Sequence, residues 1–297
     1  MSSWEEMQNS GATLKKEIFV EILDVDSEKY RDQIRTALDV RRNHFAHLGG
    51  NLAAIVKMEL MDELFRIDAF ACRVKDAGDS IILDITSFPK RFFFPILRVL
   101  ARSQDVQNLL LTYTSPESYA PDNEPLYENI EPWRALAGFG GAEILEAQWI
   151  VSVGFLVESL RNYSVGAQDA KMKLLIPFPS SLSSLQRTWA SVANLETDHR
   201  DGRLEKFRVD PLDMSAAFDR ICQIAGNPFR PVAFAPFGPK PTSAAMCLYA
   251  IQKNSSVHYS QPTVYHPEYS RGVRNNNSST AVSAYWVKHE GENLYAV

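Results

Sequence analysis

The chain is short of cysteine, lacks an excess of basic charge and has no long apolar run. Each shortage removes a class of protein. Cys72, Cys222 and Cys247 are the only cysteines in 297 residues, and no two stand at a redox or metal spacing. A disulfide framework and a zinc module are therefore not written in the chain. Each cysteine sits among apolar neighbours, which predicts buried, reduced thiols and a cytosolic protein. The net charge of −5 argues against an extended nucleic-acid surface and leaves room for a local basic pocket. The apolar runs fall far short of the ~18 residues of a membrane span. The polar, acidic opening MSSWEEMQNSGATLKKE predicts no secretory signal.

Signatures of catalysis are equally scarce. The Walker A pattern G-x-x-x-x-G-K-[ST] and the dinucleotide fingerprint G-x-G-x-x-G are both missing, as is the G-x-S-x-G elbow. HRDGRLEKF, residues 199–207, shares only its first three letters with a kinase catalytic loop. His44 and His47 stand three apart on a predicted helix with no evident third ligand, so no metal is expected. No internal repeat or heptad pattern is present.

What the sequence does have is strand–helix alternation. EIFVEIL (17–23) predicts a strand, and a long helical pattern follows over 26–48, with Asp26-Ser27 as a cap. Residues 51–70 fit one helix or a strand followed by a helix. SIILDIT, the helix over 87–103 and VQNLLLTYT form a β-α-β unit, which implies parallel strands and a right-handed crossover. Strand-then-helix pairs recur from residue 149 to 251, with Ser180 or Ser181 as a cap of one helix. Two β-like runs close the chain. The expected fold is α/β: a doubly wound, mostly parallel Rossmann-like sheet with helices on both faces. Residues 1–78 form an N-terminal strand and helical segment of that fold or beside it, and 79–297 form the main α/β domain. Residues 115–148, with four prolines and a Gly-Phe-Gly-Gly run, predict a long functional loop or lid.

Ligands of such sheets bind beyond the carboxyl ends of the strands, so the polar residues after each strand are the candidates. Asp84 and Thr86 end the strand SIILDIT, and Ser87, Lys90 and Arg91 begin the next helix. Two readings stand: Thr86 or Ser87 caps the helix and the basic pair is solvated, or the group contacts an anion at a free helix N-terminus. FAPFGPKPTSAAM repeats the arrangement with Gly238, Lys240, Thr242 and Ser243. Gly238 allows a turn or a close approach to a ligand, and Lys240 and the hydroxyls suit a phosphate. The prolines at 236, 239 and 241 remove backbone donors. Glu158 and Arg161 stand three apart on a predicted helix, at surface ion-pair spacing. Asp84 and Glu158 are the carboxylates available for acid–base catalysis. Gln261, Tyr265, His266, Tyr269, Ser270 and Arg271 crowd one loop, where tyrosines either stack on a base or anchor the loop.

LDITSFPKR and FGPKPTSAAM together resemble the turns of CARF-type Rossmann domains, in which an Asp-x-Thr strand end and a Gly-Thr-Lys-Pro-like turn precede a helix. The resemblance covers about two dozen of the 297 residues. Phe88-Pro89 and Phe237-Gly238-Pro239 stand where that family has a glycine-rich turn. It implies a homodimeric sensor of cyclic oligonucleotide signals in prokaryotic antiviral defence. Asp84, Thr86, Lys90, Gly238, Lys240, Thr242 and Ser243 would then contact the ligand. Three functions remain open: a sensor or effector subunit for a nucleotide-like anion, a nucleotide- or nucleoside-processing hydrolase, and a non-catalytic protein-interaction subunit. None calls for a resident cofactor.

Overall fold

The computed structural model describes residues 6, 9, 11, 13–23, 29–119, 127–141, 147–155, 171–179, 186, 188–190, 192–193, 195–196, 204–226, 231–274 and 281–297. The expected caps Asp26-Ser27, Ser180 and Ser181 lie outside them, as do Glu158 and Arg161.

Strand β1 (Val20–Leu23) leads through helix α1 (Arg31–His47) to β2 (Val56–Glu59), and the two strands pair in parallel. The open stretch 51–70 is thus a strand and the start of a helix: α2 (Leu64–Lys75) follows β2. Next comes the expected β-α-β unit of β3 (Ser80–Asp84), α3 (Lys90–Arg102) and β4 (Asn108–Thr114). Its strands are parallel, with Asp84 opposite Thr112. The predicted lid differs. Its described part holds three short strands, β5 (Ser118–Tyr119), β6 (Tyr127–Ile130) and β7 (Arg134–Ala135).

The main sheet begins with β8 (Gln148–Ser152), β9 (Met172–Pro177) and β10 (Leu204–Val209). After α4 (Met214–Ala225) come β11 (Val232–Pro236), α5 (Lys240–Lys253) and β12 (Ser256–Tyr259). All five strands are parallel, in the spatial order β10-β9-β8-β11-β12. Chain order therefore reverses direction between β8 and β11. β12 and the two strands after it stitch the former lid down: β7 pairs with β12, β6 with β13 (Pro262–Tyr265), and β5 with β14 (Ser270–Arg271), all antiparallel. The chain closes with β15 (Val282–His289) and β16 (Glu292–Asn293).

The protein is mixed α/β, but its parallel strands do not lie in one sheet as expected. β3 and β4 belong to a separate four-stranded sheet, β16-β15-β4-β3, in which β15 runs antiparallel to β4. The reason lies in the helices. α3 buries Phe92, Phe93, Phe94, Ile96, Leu97 and Leu100 completely, and α5 is buried at every residue from Pro241 to Ile251. α5, apolar on all sides, must be covered on all sides and cannot be an outer layer, whereas α3 turns its apolar face inward and keeps Arg91, Arg98 and Arg102 on the other. The crossover helix of each parallel unit packs on that of the other.

Three pairings fix their mutual direction. Lys240 at the start of α5 senses the charge of Lys90 at the start of α3. Cys247 Sγ lies 3.7 Å from the Phe94 carbonyl oxygen, and Arg102 donates to the Ile251 carbonyl oxygen at 2.9 Å. The two helices therefore run parallel, side by side. Cys247 is buried, as its context predicts. Cys72 is exposed instead: it follows Phe70 and Ala71, which take the inward face of α2.

The α3 and α5 contact depends on Phe94, which also meets Phe139 edge-on at 5.5 Å. Phe94→Ala is expected to cost about 3–5 kcal/mol. It should lower the denaturant midpoint while leaving the m-value unchanged.

Candidate functional site

β3 and β11 end alike. Each runs through a short turn to a proline in extended conformation, Pro89 at ψ 152° and Pro239 at ψ 149°, which stands at the head of the next helix. Proline has no side-chain oxygen, so neither α3 nor α5 has a side-chain cap. Thr86 and Ser87 do not cap α3 either. Thr86 Oγ1 accepts the Thr114 N–H at 2.8 Å, and Ser87 is exposed. Ser243 Oγ turns back to the carbonyls of Gly238 and Pro239 at 3.3 and 3.0 Å. Among the described residues, the backbone N–H groups of Lys90, Arg91, Lys240 and Thr242 meet no acceptor. Two helix N-termini with free donors therefore abut, and each carries the positive end of a helix dipole.

The first residue of each helix adds a cation. Lys240 Nζ donates to the Thr86 carbonyl oxygen, bridging the two turns. Lys90 Nζ lies 5.4 Å from the centroid of the Tyr259 ring. Burial pushes the Lys90 amine down to about 8. Burial and the neighbouring Lys90 push Lys240 down to about 7, with the Asp84 carboxylate pulling the other way. Asp84 Oδ1 also accepts the Thr86 N–H at 2.8 Å, an Asx-type turn that shapes the exit from β3.

The opposite wall is the meeting of β8 and β11, where the chain order reverses. A Cβ at Gly154 would lie 2.0 Å from the Phe237 carbonyl oxygen, and one at Gly238 would lie 1.9 Å from Ser152 Oγ. Gly238 is needed, but for packing: its missing side chain lets two strand ends touch. Thr242 Oγ1 and Ser152 Oγ are fully buried and have no hydrogen-bond partner. Each such hydroxyl costs about 1–3 kcal/mol. More unpartnered buried oxygens lie on the same edge: Ser115 Oγ just after β4, and Ser260 Oγ and Gln261 Oε1 just after β12.

The structure thus brings Asp84, Thr86, Lys90, Gly238, Lys240, Thr242 and Ser243 to one edge. It assigns other work to Arg91, His266 and Arg271. Arg91 donates to the carbonyls of Met61 and Asp62 at 3.1 and 2.7 Å. Arg271 pairs with Glu268, and His266 Nδ1 accepts the Glu268 N–H at 3.1 Å. His44 and His47 lie on α1, and no group of three metal-ligating side chains forms among the described residues. Sequence reasoning passed over Ser152 and Tyr259. For Ser152 the available signal was a hydroxyl closing the apolar run Trp149-Ile150-Val151.

No family model matches the chain, and no curated protein does. Solved structures show slight likeness, and two of them illustrate it. One is a protein assigned as a universal stress protein from Pseudomonas aeruginosa UCBPP-PA14, 12% identical, with a TM-score of 0.26 over 83% of this chain and 93% of that one. The other is a ketoreductase domain from the bacillaene assembly line, 11% identical, with a TM-score of 0.22 over 75% of this chain and 58% of that one. At such TM-scores neither bears on what the site holds. No described helix is long and apolar enough to cross a membrane.

The lysine pair has a consequence for stability. Between about 7 and 10.5, Lys240 holds fewer protons in the folded chain than in the unfolded one. Stability therefore rises with pH across that window, and below it the full cost of burying the charge stands. The melting temperature at low salt is expected to climb from pH 6.5 to 9.5. Lys240→Met should raise it at pH 6.5 and flatten the climb.

Proposed function

We propose that this chain binds a nucleotide-like anion at the carboxyl edge of its sheets and acts as a sensor or effector subunit. The carrying observation is the placement of Lys90 and Lys240 side by side at two uncapped, parallel helix N-termini. Two ammonium groups and free N–H donors in one desolvated place favour negative charge. Asp84 offsets only one of the two cations, so an anion of charge −1 or more completes the balance.

We read the parallel strands β8 to β12 as a doubly wound, Rossmann-like unit. Their spatial order, taken in sequence, is 3-2-1-4-5, and the anion site adjoins the point where that order reverses. The resemblance of the two turns to CARF-type domains supports sensing over catalysis, and with it a homodimer and a place in antiviral defence. A hydrolase is the second reading, favoured by the Asp84 carboxylate beside an amine that titrates near neutrality.

Inorganic pyrophosphate and a panel of nucleoside mono-, di- and triphosphates, titrated at low salt by calorimetry, test the reading. Binding is expected with proton uptake near pH 8, because the anion restores the charged form of both amines. Lys240→Ala and Lys90→Ala should each weaken it about tenfold or more, the scale of a lost charge-assisted hydrogen bond of ~1.5–3 kcal/mol. No binding by any probe overturns the anion site. Product formation that disappears in Asp84→Asn while binding persists selects the hydrolase.

A further inference from the structure

Above the lysine pair, the stretches 115–119, 127–135 and 260–272 form a roof. The first leaves the carboxyl end of β4 and the last leaves that of β12. They are joined by the short antiparallel pairs β5 with β14 and β6 with β13. Beneath the roof lies a cluster of aromatic rings drawn from three separate parts of the chain. Tyr119 meets Phe155 at 5.0 Å and Tyr269 at 6.0 Å, and Phe155 meets Tyr269 at 6.4 Å, all edge to face. Tyr265 adjoins Tyr269 at 6.1 Å. All four rings remain partly exposed, unlike the fully buried rings of α3.

The cluster shares the edge with the lysines. Phe155 follows Gly154, whose backbone abuts Phe237 and Gly238, and Lys240 is two residues further on. Tyr119 hydrogen-bonds Tyr113 of β4, the strand whose Thr114 N–H is held by Thr86. Thr86 in turn takes the Lys240 ammonium. The roof also brings buried polar atoms that lack partners. Gln261 is 5% exposed; its Nε2 donates to Tyr265 Oη at 2.9 Å and to the Pro262 carbonyl at 2.7 Å, and its Oε1 is left over. Ser260 Oγ and Ser115 Oγ, 1% and 5% exposed by residue, are left over beside it in sequence and across the roof. A group that offers both a flat apolar face and hydrogen-bond donors satisfies the rings and the Gln261 oxygen together. A heteroaromatic base does so; a bare phosphate or a sugar phosphate does not.

We infer that Tyr119, Phe155 and Tyr269 receive the base of a nucleoside phosphate whose phosphate lies at Lys90 and Lys240, an inference that rests on the anion reading above. Gln261 Oε1 then accepts from an exocyclic amino group of the base, which favours adenine or cytosine over uracil at that atom.

Calorimetric titration of the full chain with AMP, UMP and ribose 5-phosphate tests this. AMP is expected to bind at least tenfold more tightly than ribose 5-phosphate, since stacking on aromatic side chains contributes ~1–3 kcal/mol per base. Phe155→Ala and Tyr269→Ala should remove about tenfold of the AMP affinity and leave ribose 5-phosphate unchanged. Tyr269→Phe should keep both. Gln261→Glu should narrow the gap between AMP and UMP less than Gln261→Leu does, because it keeps an acceptor. Melting curves within a few degrees of the parent establish that the variants fold, and Phe155→Leu serves if the alanine variant does not. Equal binding of AMP and ribose 5-phosphate overturns the base site and leaves the anion site standing. So does an equal loss of both in the ring variants. Failure of all three probes overturns both.

Discussion

The parallel packing of α3 on α5 is the constraint from which the rest of the molecule follows. α5 is buried all round from Pro241 to Ile251 and α3 is buried along its apolar face, so each is stable only when covered, and each covers the other. Running in the same direction, they bring like ends together. At the far end the cost is small, because Arg102 reaches the Ile251 carbonyl and supplies a cation where the dipoles are negative. At the near end nothing comparable is supplied. Two prolines head the helices without offering a cap, and two lysines add to the positive field. Among the described residues, Asp84 is the carboxylate that acts on Lys240, and the Lys90 amine is shifted by burial alone. Hydrophobic burial along the helices thus holds an electrostatic imbalance at their tips.

Much of this arrangement is legible in the chain. LDITSFPKR and FGPKPTSAAM each read as strand, proline-bearing turn and basic helix start, and both turn out to be that, ending at one place. The parallel pairing of β3 with β4 follows from the crossover length alone. The division into two sheets is not legible, because β15 competes for the edge of β4 from nearly 170 positions away, and local pattern is silent on such pairings. Capping by Thr86 or Ser87, one of the two readings open in the sequence, fails for a related reason. A hydroxyl before a helix is a good cap only if no stronger demand reaches it, and Thr86 is claimed by the Thr114 N–H from the neighbouring strand.

The segment 115–148 teaches the same lesson from the other side. Its prolines and glycines suggest a free lid, and proline does bar it from the interior of a sheet. Two- to four-residue strands escape that rule, since an edge pairing needs only a few donors. β5, β6 and β7 each find a partner after residue 258. The tyrosines of 260–272 looked as suited to anchoring as to stacking. Tyr265, which takes the Gln261 amide, has an anchoring role.

The glycine contact between β8 and β11 has a mechanical meaning. With the Gly154 and Gly238 backbones in direct touch, the seam at which the chain order reverses is closed, and the parallel sheet cannot hinge there. The seam between α3 and α5 is held differently: apolar faces pack on each other, Arg102 crosses to the Ile251 carbonyl at one end, and Lys240 bridges to Thr86 at the other. On the proposed reading, an anion gripped by Lys90 and Lys240 would span that seam and staple the two strand–helix units together. Occupancy of the site would then bear directly on how tightly the two units hold together.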